Sequence, residues 1–399
     1  MKILFVIIQY ILFYYFAFFG LLNLFFVIVS KIKGTPKKTF NIADKRIAVL
    51  IPGYKEDNVI IETTESALNQ HYPTDKFIIC VIADHFLPET IIRLKSLPVL
   101  LIEPNFKIST KAKAINAAFD KLKASDFDIV LVLDADNLMN INYLQKMNNA
   151  FCEGYVAVQG HRIAKALNSK IAILDAISEE INNTLYRKGL NAIGLSSAII
   201  GSGMAFEFSY FKSLMSTVSA IGGFDKEIEL KALRDGKYIH YLEDAYIYDE
   251  KVSQLNVFYN QRRRWLSSQF HYFNKFFFDS IIHLICKRNI DYFIKALQMA
   301  QPPRLFLLAI TIIMSFISFF SYFDMLHYQW VILFFIVIFT LLFATPLHFY
   351  NKKTFQALLL LPKTFIIMFY SFLTIRGANR SFIHTPHTAQ LTNEIINKN

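Results

Sequence analysis

Cysteine is scarce in this chain, with three among 399 residues. Cys80, Cys152 and Cys286 are isolated, odd in number and without metal-ligand spacing. This excludes a disulfide-stapled scaffold and fits three buried hydrophobes in a reducing compartment. Internal repeats and low-complexity linkers are missing too, and no zinc-finger or RNA-recognition pattern occurs. The formal charge of +11 therefore calls for no nucleic-acid partner. In a basic chain with apolar ends, anionic lipid or a phosphorylated substrate accounts for it.

Charge is absent from Ile3 to Ser30, a run of 28 residues. At about 1.5 Å per residue, this spans a hydrocarbon core of about 30 Å. A cleaved secretory signal would have an apolar segment of about 7–15 residues and a small-residue cleavage site. Neither is here, so a retained anchor is expected. Lys31, Lys33, Lys37, Lys38, Lys45 and Arg46 follow it. Positive flanks stay cytosolic and are drawn to anionic headgroups. The expectation is an integral protein of the inner membrane, touching membrane lipids, with its central region cytosolic.

The carboxyl-terminal third has two more apolar runs, Leu305–Phe323 and Trp330–Tyr350. They read as a transmembrane hairpin whose link, SYFDMLHYQ, lacks Lys and Arg and so faces outward. Pro362 and Lys363 split a further apolar stretch over 354–375, where flanking basic residues favour an interfacial helix over another crossing. The expected organisation is an anchor and basic segment over 1–46, a catalytic domain over 47–265 and interfacial amphipathic helices over 266–304. A transmembrane hairpin over 305–350 and an interfacial helix with a cytosolic tail over 351–399 complete it.

Within the central region, short apolar runs alternate with helical patterns: IAVLIPGY, FIICVIAD, VLLIEP and DIVLVLDAD, each followed by an amphipathic segment. Such alternation predicts an α/β domain with a mostly parallel sheet covered on both faces. Ligands of these sheets bind at the carboxyl ends of strands. Tyr54, Lys55, Glu56, Asp57, Asp84, Asp134 and Asp136 sit there.

In DIVLVLDADNLMN, two carboxylates lie one residue apart at a buried strand's end, where strand periodicity points them the same way. Like charges there call for a counter-charge, and a hard divalent cation supplies one. The alternative is an ordinary acidic turn. Lys111 and Lys113 open a helix, against the macrodipole. They meet an anion there or are solvated surface lysines.

These residues carry a resemblance. IPGYKED resembles the first-strand motif of family-2 glycosyltransferases with the GT-A fold, a Rossmann-like sheet. TKAKAIN is similar to that family's GKAxALN segment, DAD to its DxD, GSGMAF to its acceptor-site motif, and NQRRRW contains its Q-x-x-R-W signature. The signature marks the membrane-bound branch that includes cellulose, chitin and hyaluronan synthases and ceramide glucosyltransferase. The motifs fall in family order over about residues 48–265.

The resemblance implies transfer from a UDP-sugar with inversion, to a polysaccharide or glycan acceptor at the inner face of the membrane. It places Pro52, Tyr54, Glu56, Asp84, Lys111 and Asp134 around the nucleotide and assigns Asp134 and Asp136 to Mn²⁺ or Mg²⁺. Gly201, Ser202, Gly203, Gln261, Arg262, Arg263, Arg264 and Trp265 would serve the diphosphate and acceptor. One departure stands out. The branch places its base in a Thr-Glu-Asp triplet, and this chain has GGFDKEIEL. Counting back from Gly236, which matches the family's glycine after the helix, the aspartate position falls on Asp225, with Phe224 where the glutamate would be. Asp225 is the expected base and Glu227 its rival; Glu243 and Asp244 follow a strand-like YIHYL and read as structural. Two other readings compete: single transfer to a lipid acceptor, and a catalytically degenerate subunit of a synthase complex. Three crossings are few for a translocation channel unless the chain oligomerises.

Overall fold

The computed structural model describes residues 2–32, 43–220, 222–320 and 327–377. Lys33, Lys37 and Lys38, most of the expected outer loop, and the tail after residue 377 lie outside them.

Eight strands form one sheet: β1 (Ile47–Tyr54), β2 (Phe77–Asp84), β3 (Leu100–Ile102), β4 (Ile129–Val132), β5 (Leu138–Met139), β6 (Ala157–Ala164), β7 (Met204–Glu207) and β8 (Ile239–Asp249). Their order is β3-β2-β1-β4-β7-β6-β8-β5. Strands β1 to β4 are joined in parallel, as are β6 and β8, whereas β7 and β5 pair antiparallel. The sheet is thus mostly parallel, with the first-half strands at the positions expected from IAVLIPGY and FIICVIAD.

Helix α1 (Lys2–Ile32) precedes the strands, and between them lie α2 (Ile60–Leu68), α3 (Pro88–Lys95), α4 (Lys111–Lys121), α5 (Tyr143–Cys152), α6 (Lys170–Asn182), α7 (Leu190–Ala192), α8 (Phe208–Ser216) and α9 (Phe224–Arg234). The rest are α10 (Leu255–Lys287), α11 (Ile290–Gln298), α12 (Arg304–Phe320), α13 (His327–Ala344), α14 (Lys352–Leu358) and α15 (Leu361–Leu373). Alternation along β1 feeds two cores. Ile47, Val49 and Ile51 meet α2, α3 and α5, while Ala48 and Leu50 meet the layer containing α4, α8 and α9. Burying each of the Ile, Val and Leu side chains stabilises the fold by about 1.5–3 kcal/mol, which is why these strands read as unbroken apolar runs. Cys80 is buried among them, and burial pushes its thiol up to about 12. Cys286, expected to be buried, is exposed near the end of α10.

Helix α1 buries Phe16, Phe26 and Val27 against α13 and the segment after α6, and exposes Ile7, Ile11, Tyr14, Phe18, Leu21 and Phe25 along its opposite face. Its segment Val6–Ile32 is long and apolar enough to cross a bilayer. The bent pair α14 and α15, meeting at 46°, would make a second such span if read as one. Helices α12 and α13 occupy the expected hairpin, but their apolar segments Arg304–Ser318 and Tyr328–Ala344 are shorter than a full span. No break occurs at residue 265, where the sequence places a boundary. The QRRRW element lies inside α10, a single helix of 33 residues.

Candidate active site

Parallel pairing aligns Tyr54 with Asp84 and brings the ends of β1, β2 and β4 to one edge. There Pro52, Tyr54, Glu56 and Asp84 line a cavity of about 1360 Å³. Lys55 and His85, the residues after β1 and β2, both take left-handed backbone, at φ 57° and 59°. Non-glycine residues rarely do so, and such strain clusters at functional sites. Asp84 is buried, with His85 Nδ1 2.5 Å from its carboxylate. Asp57 lies apart from these, accepting from the Leu87 N–H.

The DAD sequence is not strand. β4 ends at Val132, and Asn137 N donates to Asp134 O at 3.1 Å, closing a turn with Ala135 and Asp136 at its centre. Turn geometry rather than strand periodicity brings Asp134 and Asp136 to the same cavity. Burial raises the Asp134 carboxyl above its ordinary range, with Lys111 opposing and Asp136 adding. Among the described residues, no three or more His, Cys, Asp or Glu side chains form a group that could hold a metal ion. A divalent cation bound through one or two carboxylates, with phosphate and water completing its shell, needs no such group. The two aspartates fit that role.

Lys111 opens α4 behind the N-cap Thr110. Its ammonium pairs with Asp134, donates to Gly201 O at 2.7 Å and lies 4.8 Å from the Phe224 ring centre. One cation therefore joins the DAD turn, the Gly201 loop and the start of α9. Lys113 does not join it and donates instead to Ile108 O.

Of the GSG triplet, only Gly201 lines the cavity. Ser202 is fully buried, its Oγ accepting from Asp134 N at 2.9 Å and donating to Asn137 Oδ1 at 2.5 Å. Gly203 stands at φ 58°, and a Cβ there would lie 1.8 Å from Ile247 Cδ1. Ser202 and Gly203, expected at the diphosphate or acceptor, instead brace the aspartate turn from behind. They are small because the chain must pass between β4, β6 and β8.

Asp225 lies in the first turn of α9 and faces the cavity beside Gly201. Glu227 does not. It is buried between Lys231 and Lys275, 2.9 Å from each, and these ammoniums outweigh burial to hold its carboxyl below the usual range. That removes the rival base from the cavity wall. Glu243 and Asp244 also lie elsewhere, paired with Lys188 and Lys146.

The QRRRW element divides by helical spacing. Gln261, Arg262, Arg264 and Trp265 face the cavity. Arg262 pairs with Asp175 and stacks over the Phe258 and Trp265 rings, at 4.7 and 4.3 Å. Burial lowers the pKa of the Arg264 guanidinium. Arg263, expected at phosphate or lipid, turns away, donating to Thr374 O at 2.5 Å and Arg376 O at 3.0 Å. It caps the carboxyl end of α15.

Several cavity residues escaped the sequence reading. Arg162 on β6 donates to Glu179 at 2.9 Å, with Asp249 3.8 Å away, and Glu179 also pairs with Arg187 at 3.1 Å. Burial alone would raise the Glu179 carboxyl, but the two arginines hold it well below the carboxylate range. Lys251 pairs with Asp249 at 2.7 Å. Arg162, Glu179 and Asp249 come from β6, α6 and β8, so their meeting was not legible in the sequence, whereas Asp249 and Lys251 stand two residues apart.

The chain matches the family described as "Glycosyltransferase like family 2" over residues 44–268. It is 22% identical over 259 residues to the probable glycosyltransferase YdaM of Bacillus subtilis (strain 168). That match covers 58% of this chain and 57% of the relative, so just over half of that protein's length is represented. Among solved structures, it is similar to the mannosyltransferase PcManGT from Pyrobaculum calidifontis in complex with GDP-Man and Mn²⁺. The TM-score there is 0.51 at 17% identity, covering 84% of this chain and 96% of the other.

Proposed function

The chain belongs to glycosyltransferase family 2, and on that premise we propose that it moves a hexose from a UDP-sugar, with inversion, to an acceptor hydroxyl at the inner face of the membrane. The carrying observation is the convergence of Asp136, Lys111, Asp225 and Arg264 on one cavity. Transfer raises two electrostatic demands: stabilising a diphosphate leaving group and removing the acceptor's proton.

The acceptor hydroxyl oxygen bonds to the anomeric carbon from the face opposite the diphosphate, and its proton passes to the Asp225 carboxylate. The bond from that carbon to the phosphate oxygen breaks, and its electron pair leaves with the UDP. Lys111 and Arg264 supply fixed positive charge toward that leaving group. A divalent cation held at Asp134 and Asp136 would neutralise the diphosphate further. Trp265 supplies a flat wall for the acceptor. Asp225 on the cavity wall supports catalysis over the degenerate-subunit reading.

The donor base rests on the resemblance around Asp84. Because the Pyrobaculum structure contains GDP-Man, GDP-mannose belongs in the test. The experiment is nucleotide release by the protein in nanodiscs of lipid from its own cells, across UDP-sugars and GDP-mannose, with Mn²⁺ or Mg²⁺, alongside Asp225→Asn. Release from one UDP-sugar, lost in the variant, is the expected result. Release from GDP-mannose alone would replace the donor, and no release from any donor would overturn the transferase proposal.

A further inference from the structure

The cavity does not end at the carboxylates. At about 1360 Å³ it exceeds the ~300–1,000 Å³ of an ordinary small-molecule site. Beyond Asp225 and Trp265 it continues between α6 and helices α12 to α15. Helix α6 shows why. Ile171, Leu174, Ile177 and Ile181 recur at helical spacing on the lining, and Leu308 of α12 and Leu341 of α13 contribute to the same extension.

Its far end opens on an apolar surface. Ile332, Phe335, Phe339 and Leu342 form one exposed stripe along α13, and Leu342 belongs to the cavity lining as well. Phe355 and Leu358 of α14 are likewise both exposed and lining. Polar groups share the same lining. There the amide oxygen of Gln261 and the amide nitrogen of Gln298 are buried without a hydrogen-bond partner among the described residues. Arg304, also on the lining, donates to Asn182 at 2.7 Å and to Ser178 of α6. Buried polar atoms left unpaired are costly. An unpaired acceptor and an unpaired donor on one lining suit a hydroxyl- or amide-bearing ligand, which both gives and takes hydrogen bonds.

We infer that the acceptor is a membrane amphiphile. Its hydroxyl reaches Asp225, its polar head meets the polar part of the lining, and its hydrocarbon chain lies along the aliphatic part and enters past Leu342 and Phe355. The lining is mixed, with Asp175, Ser178 and Asn182 beside its aliphatic residues, but Leu308, Leu341, Leu342, Phe355 and Leu358 offer the hydroxyls of a growing glycan no partners. The inference rests on the transferase reading and specifies its acceptor. The new bond joins the lipid oxygen to the anomeric carbon, the proton goes to Asp225, and the nucleotide diphosphate departs with the bonding pair.

The test uses the full chain in nanodiscs of lipid extracted from the cells that carry it, with radiolabelled donor, and partitions the product between butanol and water. Label in butanol is expected. Leu308→Trp, which fills the aliphatic part, should cut the butanol share of label at least tenfold. Thr345→Trp, on the same lining, decides if Leu308→Trp does not fold. Label confined to water-soluble polymer or free sugar overturns the inference, as does an unchanged butanol share in a folded Trp variant. Absence of nucleotide release from wild type overturns the transferase reading itself, so the two failures are distinct.

Discussion

The Oγ of Ser202 accepts a hydrogen bond from the backbone N–H of Asp134 at 2.9 Å, across 68 residues of sequence. Its own proton goes to Asn137 Oδ1, so one buried hydroxyl ties both ends of the aspartate turn. Ser202→Ala strands that N–H and amide oxygen in the interior, at a cost of about 1–3 kcal/mol. The expected outcome is a lower melting temperature together with several-fold weaker UDP binding in the presence of Mn²⁺, measured calorimetrically. Wild-type affinity in the variant would show that the clamp does not position Asp134.

Asp225 and Glu227 are two residues apart and should respond oppositely. Asp225→Asn removes the proposed base and should lower turnover by about 10²–10⁴-fold, with little change in melting. Glu227→Gln leaves Lys231 and Lys275 without their counter-charge; it should lower the melting temperature while transfer persists. Because the Glu227 carboxyl lies below its ordinary value, its contribution is present above the unfolded value of about 4.3. It disappears as pH falls through the folded value. Lost turnover in Glu227→Gln with normal melting would move the base.

What was legible follows from the range of the interactions. IAVLIPGY and FIICVIAD became β1 and β2 over the expected residues, because a strand buried on both faces writes its environment into consecutive positions. Strand periodicity misled at DAD, where the chain has already turned. The arginine run could not be apportioned from sequence, since helical spacing sends Arg263 to Thr374 and Arg262 to Asp175. Arg162, Glu179 and Asp249 were invisible as a group, their pairing being set by how β6, α6 and β8 meet. Likewise the boundary expected at residue 265 reflected a change in composition along a helix that continues.

The arginines of the run should therefore separate by experiment. Arg264→Lys keeps a positive charge but loses the planar fork that engages phosphate, and nucleotide release should fall by tenfold or more. Arg263→Ala uncaps α15 at Thr374 and Arg376, so it should lower the melting temperature and leave nucleotide release largely intact. Equal losses of release in both would mean that the run acts as a diffuse basic patch.

His240 on β8 provides a stability switch in mild acid. Its ring is buried and stacked 3.9 Å from the Tyr155 ring centre, and burial lowers its pKa from 6.5 to about 4. Between those values the unfolded chain binds a proton that the native protein refuses, so stability falls as pH drops from 6.5 and levels off near 4. At about 1.4 kcal/mol per pH unit, the loss amounts to ~3 kcal/mol. Glu179 and Glu227 begin to lose their contributions only near the unfolded value of about 4.3, at the window's lower edge. The raised carboxyls of Asp134 and Glu229 act in the opposite direction. All four are common to wild type and variant. His240→Phe keeps the stack on Tyr155 and removes the titration. Thermal melts at pH 7, 5.5 and 4.5 should show a shallower acid decline in the variant. Parallel declines in both proteins would place the acid sensitivity elsewhere.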